Sequence, residues 1–173
     1  MSYLPTPEKC IKILKQNGCS EKVINHCIAV RDVAVKIAKK AKADINLVEV
    51  GALLHDIGRA RTHGIRHGVE GVKIAEKLDL PVSIIHIIER HLGAGIPKLE
   101  AEKLGLPSKD YIPITLEEKI VCHADNMIEN CKRQKIEREI KKALIHSQTE
   151  YANRLIALHK EISDICGMDI DKI

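Results

Sequence analysis

At 173 residues, with 45% hydrophobic and 30% charged side chains, the chain has the length and apolar content of one packed domain, which excludes a disordered segment. No run nears the ~20 apolar residues of a membrane span, and nothing near the N-terminus resembles a secretory leader, so a soluble cytoplasmic protein is expected. The net charge of +4 favours small anionic ligands, but with no Phe, no Trp and only three Tyr the chain lacks stacking platforms, which argues against a nucleic-acid partner.

Helical periodicity covers most of the chain, and no stretch sustains the alternation of a half-buried strand. The expectation is an all-α fold, a compact single-domain helical bundle over residues 1–173. Thr6 before Pro7 opens a first helix that Gly18 closes. Ser20 opens a second, running to about Ala43 with Val23, Cys27, Val30, Ala34, Ile37 and Ala41 as its buried stripe. Asn46 caps a third, which carries Val48, Ala52 and Leu53 inward and stops near Gly58.

A polar, glycine-bearing loop follows, then a fourth helix with His67, Gly71, Ile74, Ala75 and Leu78 on one face. Pro81 starts a fifth, ending at His91. Residues 93–114, rich in Gly and Pro with one short helix from Pro97, make the best candidate for a lid. Thr115 with Glu118 fits a capping box, in which each side chain satisfies the other's backbone N–H, and the helix it opens continues through Ile128. From Lys132 onward one or two amphipathic helices bury Ile136, Ile140, Ala143, Leu144, Ala152, Leu155, Ile156 and Ile162. The mixed-sign run Cys131–Lys142 reads as a solvated helix face. Six cysteines without CxxC pairing read as reduced packing residues.

The informative feature is a set of polar residues on apolar helix faces. His26 aligns with Val30, Val33 and Ile37, His91 aligns with Ile84, Ile87 and Ile88, and His67 heads its own stripe. His55, Asp56 and Asp125 also face inward. Burying that many imidazoles and carboxylates is costly unless they share a cation, so these six are the predicted metal ligands. His55 and Asp56 lie about 100° apart on a helix, so they straddle an ion at the helix end and Asp56 is placed to bridge two. The mixed nitrogen and oxygen donors suit one or two divalent ions such as Mn, Fe, Co, Ni, Zn or Mg.

The other histidines divide differently. His86 aligns with Ser83 and Arg90, and His146 with Lys142 and Glu150, so both are expected in solvent. His63 is left outside the metal set as a loop histidine. His123 points away from Asp125, and His159, with no carboxylate companion, is expected to pack in the core.

His26 with CIAVRDVAVKIA, then ALLHDIG at 52–58, then HAD at 123–125, resembles the HD superfamily of metal-dependent phosphohydrolases over about residues 20–130. That family's His, His-Asp doublet and distant Asp match His26, His55, Asp56 and Asp125; the additional histidines of two-metal members match His67 and His91. The resemblance implies hydrolysis of a phosphate ester, with a nucleotide as the expected substrate, by a metal-activated water at a centre built on His55 and Asp56. Arg59 stands where many members have Lys; with Arg61, Arg66 and Lys98 it is a candidate to clamp the phosphate. The alternative reading is a noncatalytic nucleotide-binding or signalling module using the same pocket.

Overall fold

The computed structural model describes residues 4–173, and among them the secondary structure is helical apart from one two-stranded ribbon. The helices are α1 (Pro7–Asn17), α2 (Glu21–Ala41), α3 (Ile45–Leu54), α4 (His67–Lys77), α5 (Val82–Arg90), α6 (Lys98–Lys103), α7 (Leu116–Asn126), α8 (Ile136–Ile145) and α9 (Thr149–Cys166). A 3-10 turn, Ile57–Ala60, follows α3, and a second, Ile170–Lys172, closes the chain. None of these helices is long and apolar enough to cross a membrane.

Helix α3 sits at the centre. It buries Val48, Val50, Gly51, Ala52, Leu53 and Leu54, apolar all round as a helix covered on every side must be. It packs against α1, α2, α5 and α7. Helix α2 buries the stripe expected of it through Ala38 and also meets α7 and α9. Leu54 is fully buried one residue before the doublet, and truncating it to alanine would cost about 2–5 kcal/mol.

Local chemistry starts and stops these elements. Thr6 accepts from the Lys9 N–H, Ser20 from Val23 and Thr115 from Glu118, each covering an N–H that the first helical turn leaves without a partner. Glu118 completes its box differently from expectation: its Oε2 accepts from the Ile114 N–H at 2.8 Å while Arg90 grips both carboxylate oxygens.

Several sequence expectations need correction. Helix α3 is capped by Asp44, whose Oδ1 accepts from Leu47 at 3.0 Å, and not by Asn46. It ends at Leu54, so the doublet lies between an α-helix and a 3-10 turn rather than within a helix reaching Gly58. Leu78, Leu144 and Ile156 are exposed, at the margins of their helices' apolar stripes.

Helix α7 stops at Asn126, and the chain turns into an antiparallel ribbon of β1 (Ile128–Glu129) and β2 (Lys132–Arg133). Its turn residues, Asn130 and Cys131, both have positive φ, 49° and 60°, the twist a two-residue hairpin demands. Two-residue strands are too short for period-two alternation to register in the sequence.

Candidate metal centre

Six side chains from five parts of the chain converge. His26 projects from the second turn of α2, Asp125 from the last turn of α7, and His55 and Asp56 follow α3 directly. His67 is the first residue of α4, and His91 caps the C-terminus of α5. Helix ends supply most of these positions.

The backbone sets the imidazoles in one repeated manner. Nδ1 of His55, His67 and His91 lies 2.7, 2.8 and 2.7 Å from the carbonyl oxygen three residues earlier, that of Ala52, Gly64 and Ile88. A carbonyl only accepts, so each Nδ1 carries a hydrogen, and in the neutral form that a metal requires each Nε2 lone pair faces the centre. His67 Nε2 and His91 Nε2 are then 3.0 Å apart with two lone pairs opposed, an arrangement that an intervening cation stabilises.

Asp56 lies between two halves of the cluster. Its Oδ2 is 3.8 Å from Nε2 of both His26 and His55; its Oδ1 is 3.2 Å from His67 Nε2 and 3.5 Å from His91 Nε2. Asp125 Oδ1 completes the first half, 2.8 Å from His26 Nε2 and 3.5 Å from His55 Nε2. His55 Nε2 and Asp56 Oδ1 are buried and have no hydrogen-bond partner among the described residues. Such orphaned atoms are rare in folded proteins because each forfeits its hydration, and a divalent cation coordinated to both removes the cost. The donor sets His26, His55, Asp125 and His55, Asp56, His91 each have ligand atoms within 4.8 Å of one another. On the criterion of orphaned donors, the residues present fit a divalent metal.

The field inside the cluster is strong. Burial opposes charge on His55, yet the carboxylates of Asp56 and Asp125 outweigh it and hold its pKa well above the usual imidazole value. Burial likewise opposes charge on Asp56, and His55, His67 and His91 overcome it, keeping the carboxyl well below the usual carboxylate range. Asp125 is held low in the same way, against burial, by His55 and His26. Burial pushes His91 down, toward the neutral form.

A cavity of about 270 Å³ opens over this cluster, walled by Ser20, Lys22, His26, Asp56, Arg59, His63, Asn130 and Cys131. Arg59 spans two groups: its Nε donates to Asp56 Oδ2 at 2.7 Å and its Nη1 to the His63 carbonyl at 3.0 Å. Arg66 and Lys98 do not line this cavity. The Arg66 guanidinium donates to the Gly105 carbonyl, and the Lys98 backbone N–H donates to Asp110, which ties both residues to the segment after α5. That segment also misses the cavity: Gly93, Ile96 and Leu104 border a separate groove of about 460 Å³ with Tyr151 and Arg154.

Of the residues at the cavity wall, Lys22 was within reach of sequence reasoning, being one helical turn before His26. Asn130 and Cys131 were not, because only the ribbon folds them back. Cys131 is accordingly a half-exposed thiol at a turn, not a packing residue, while Cys10, Cys19, Cys27 and Cys122 are buried; all six thiols are free.

The remaining histidines lie elsewhere. His123 is fully buried and faces away from Asp125, its Nε2 3.0 Å from His159 Nδ1. His159 does have a carboxylate companion, Asp169 at 3.1 Å, and is partly exposed rather than core packing. His146 is exposed, and His86 lies partly exposed near Glu118.

Comparison with known proteins agrees with this architecture. A family model described as HD domain matches residues 23–129, and the chain belongs to the HD-domain family. It is 50% identical over 165 residues to an uncharacterized protein of Methanocaldococcus jannaschii, covering 91% of this chain and 97% of that relative. It is 44% identical over all 173 residues to a tRNA (cytidine(56)-2'-O)-methyltransferase of Thermoplasma volcanium, of which it spans 51%. The crystal structure of the HD domain of the L. monocytogenes phosphodiesterase PgpH superposes with a TM-score of 0.59 at 19% identity, covering 94% of this chain and 96% of that one. A second structure of that domain, in complex with cyclic-di-AMP, gives the same TM-score at 17% identity over 95% and 94%. At those identities the likeness is one of fold.

Proposed function

We propose that the protein is a metal-dependent phosphohydrolase acting on a nucleotide or another small phosphate ester. The observation that carries this reading is the pair of half-sites sharing Asp56, with three imidazole lone pairs held inward by backbone carbonyls. His26, His55, Asp56 and Asp125 would hold one divalent ion, and Asp56, His67 and His91 a second. Bound there, the ions supply an activated water and neutralise charge on the phosphoryl oxygens.

The chain's own groups serve the rest of the chemistry. Arg59 fixes the orientation of Asp56 through its Nε and presents positive charge at the cavity wall, where Lys22 adds more. The cavity's size fits a single phosphate ester with part of its sugar, and among the described residues the rings at its wall are the imidazoles of His26 and His63. A cytoplasmic setting accords with six free thiols.

A second reading is favoured by one observation: over its whole length the chain is similar to about half of a relative named as a tRNA methyltransferase. In that reading the domain is a noncatalytic, nucleotide-binding module working beside an RNA-modifying activity. Elemental analysis of the purified protein, followed by phosphatase, phosphodiesterase and nucleotidase assays, separates the two. The hydrolase reading expects bound transition metal and turnover that Asp56→Ala abolishes. Thermal stabilisation by a nucleotide without turnover supports the module, and a metal-free protein indifferent to Asp56→Ala overturns the hydrolase.

A further inference from the structure

The two halves of the centre hang on different helix ends, so their spacing depends on whatever ties the end of α7, which carries Asp125, to the chain just after His91. Asn126, the residue after Asp125, does this directly. Its Nδ2 donates to the Gly93 carbonyl at 2.6 Å and to the Cys122 carbonyl at 2.9 Å. Two carbonyl acceptors fix the amide with its nitrogen toward them, which turns Oδ1 the other way. Oδ1 meets the Tyr151 hydroxyl at 2.8 Å, and the same hydroxyl lies 3.2 Å from Glu139 Oε1. Since Asn126 Oδ1 only accepts, Tyr151 must donate. Burial, reinforced by the Glu139 carboxylate, keeps the phenol protonated by raising its pKa well above the usual value.

Gly93 fits under this arrangement because it is glycine. Its φ is +58°, in the left-handed region that favours glycine, and the Tyr151 ring packs over it at a distance, 3.4 Å, that would be ordinary contact for a Cβ. The connection thus runs from Glu139 on α8 and Tyr151 on α9, through Asn126, to the backbone two residues beyond His91.

We infer that Tyr151, acting through Asn126, is a positioning residue that holds His91 and Asp125 at the spacing where both halves of the centre share Asp56. The inference rests on the metal-centre reading above. It makes the C-terminal pair of helices part of the site's construction even though neither supplies a ligand. Groups hydrogen-bonded to metal ligands change metal affinity by about 10–100-fold when removed, and loss of a tie that sets the ligands' backbone spacing should weaken it in the same direction.

The test measures divalent metal affinity by Co²⁺ or Zn²⁺ titration against a chelator, with the melting temperature of the metal-free protein recorded alongside. Four variants are compared with the wild type: Tyr151→Phe, which keeps the ring and removes only the donor; Asn126→Ala; His91→Ala; and Arg154→Ala. Arg154 is one turn along from Tyr151 on α9 and pairs with Glu100, away from the ligands, so it reports what a mere loss of helix packing does.

The expected result is at least a tenfold weaker metal affinity in Tyr151→Phe and Asn126→Ala, with wild-type affinity in Arg154→Ala. If His91→Ala loses metal while Tyr151→Phe and Asn126→Ala bind as wild type, the positioning role is overturned and the centre stands. If the wild type binds no metal the centre itself falls, and if His91→Ala binds as many ions as tightly as wild type the half-site of Asp56, His67 and His91 falls; either result takes this inference with it.

Discussion

Gly58 offers a sharp test of how the doublet is set against α4. A Cβ built there would stand 1.8 Å from the His67 carbonyl oxygen and 2.6 Å from the Gly71 nitrogen, both of them backbone atoms. Ordinary van der Waals contact begins at about 3.4 Å, so Gly58→Ala must drive the 3-10 turn and α4 apart by about 1.6 Å. Overpacking of this kind costs about 3 kcal/mol, which for a domain of this size lowers the melting temperature by about 6–12 °C. The same displacement carries His67 away from Asp56, to which its Nε2 now approaches at 3.2 Å. A misplacement of about 1 Å in a reacting site costs on the order of 100-fold in rate. Thermal melts, metal stoichiometry and, on the proposed hydrolase reading, phosphate-ester turnover are the assays. Gly105→Ala is the control, because Gly105 has positive φ but open space around it, so it suffers backbone strain without a clash. A Gly58→Ala protein that melts and binds metal like the wild type would refute the backbone-to-backbone packing on which the geometry of His67 depends.

Other consequences follow from single contacts. Asp44→Ala should lower stability by about 1 kcal/mol in urea melts while Asn46→Ala leaves it nearly unchanged, since Asp44 and not Asn46 covers the first N–H groups of α3. On the proposed hydrolase reading Arg59→Lys should reduce turnover by about 10–100-fold, because an ammonium lacks the rigid Nε and Nη1 fork that reaches Asp56 Oδ2 and the His63 carbonyl; wild-type kinetics in that variant would remove Arg59 from any orienting role. At pH 8 a thiol reagent should label the half-exposed Cys131 in the native protein and spare Cys10 and Cys19. Burial pushes those two thiols up to about 12 and about 11, so labelling of either without denaturant contradicts their placement in the core.

The sequence by itself determined the helices and their inward faces, because helical periodicity is a property of neighbours along the chain. The stripe of α2, the starts of α1 and α2 at Thr6 and Ser20, and the short helix after Pro97 were all legible in that way. The apolar alignment of His26, His67 and His91 was legible for the same reason, and the structure does bring these three together with His55, Asp56 and Asp125.

Tertiary structure decided what lies around them. The period of a helix says which face a residue occupies but not which other helix end that face will meet. Lys98 lies beyond α5 as the first residue of α6, and the Arg66 side chain is tied to that same segment at Gly105, while Asn130 and Cys131 are returned to the cavity by a ribbon whose strands are too short to show a pattern. His159 gained Asp169 as a partner only because the last turn of the chain folds back on α9. Contacts of that kind form between segments far apart in the chain, and their geometry is set by close packing, such as Gly58 against the backbone of α4, which no local spacing of residues encodes.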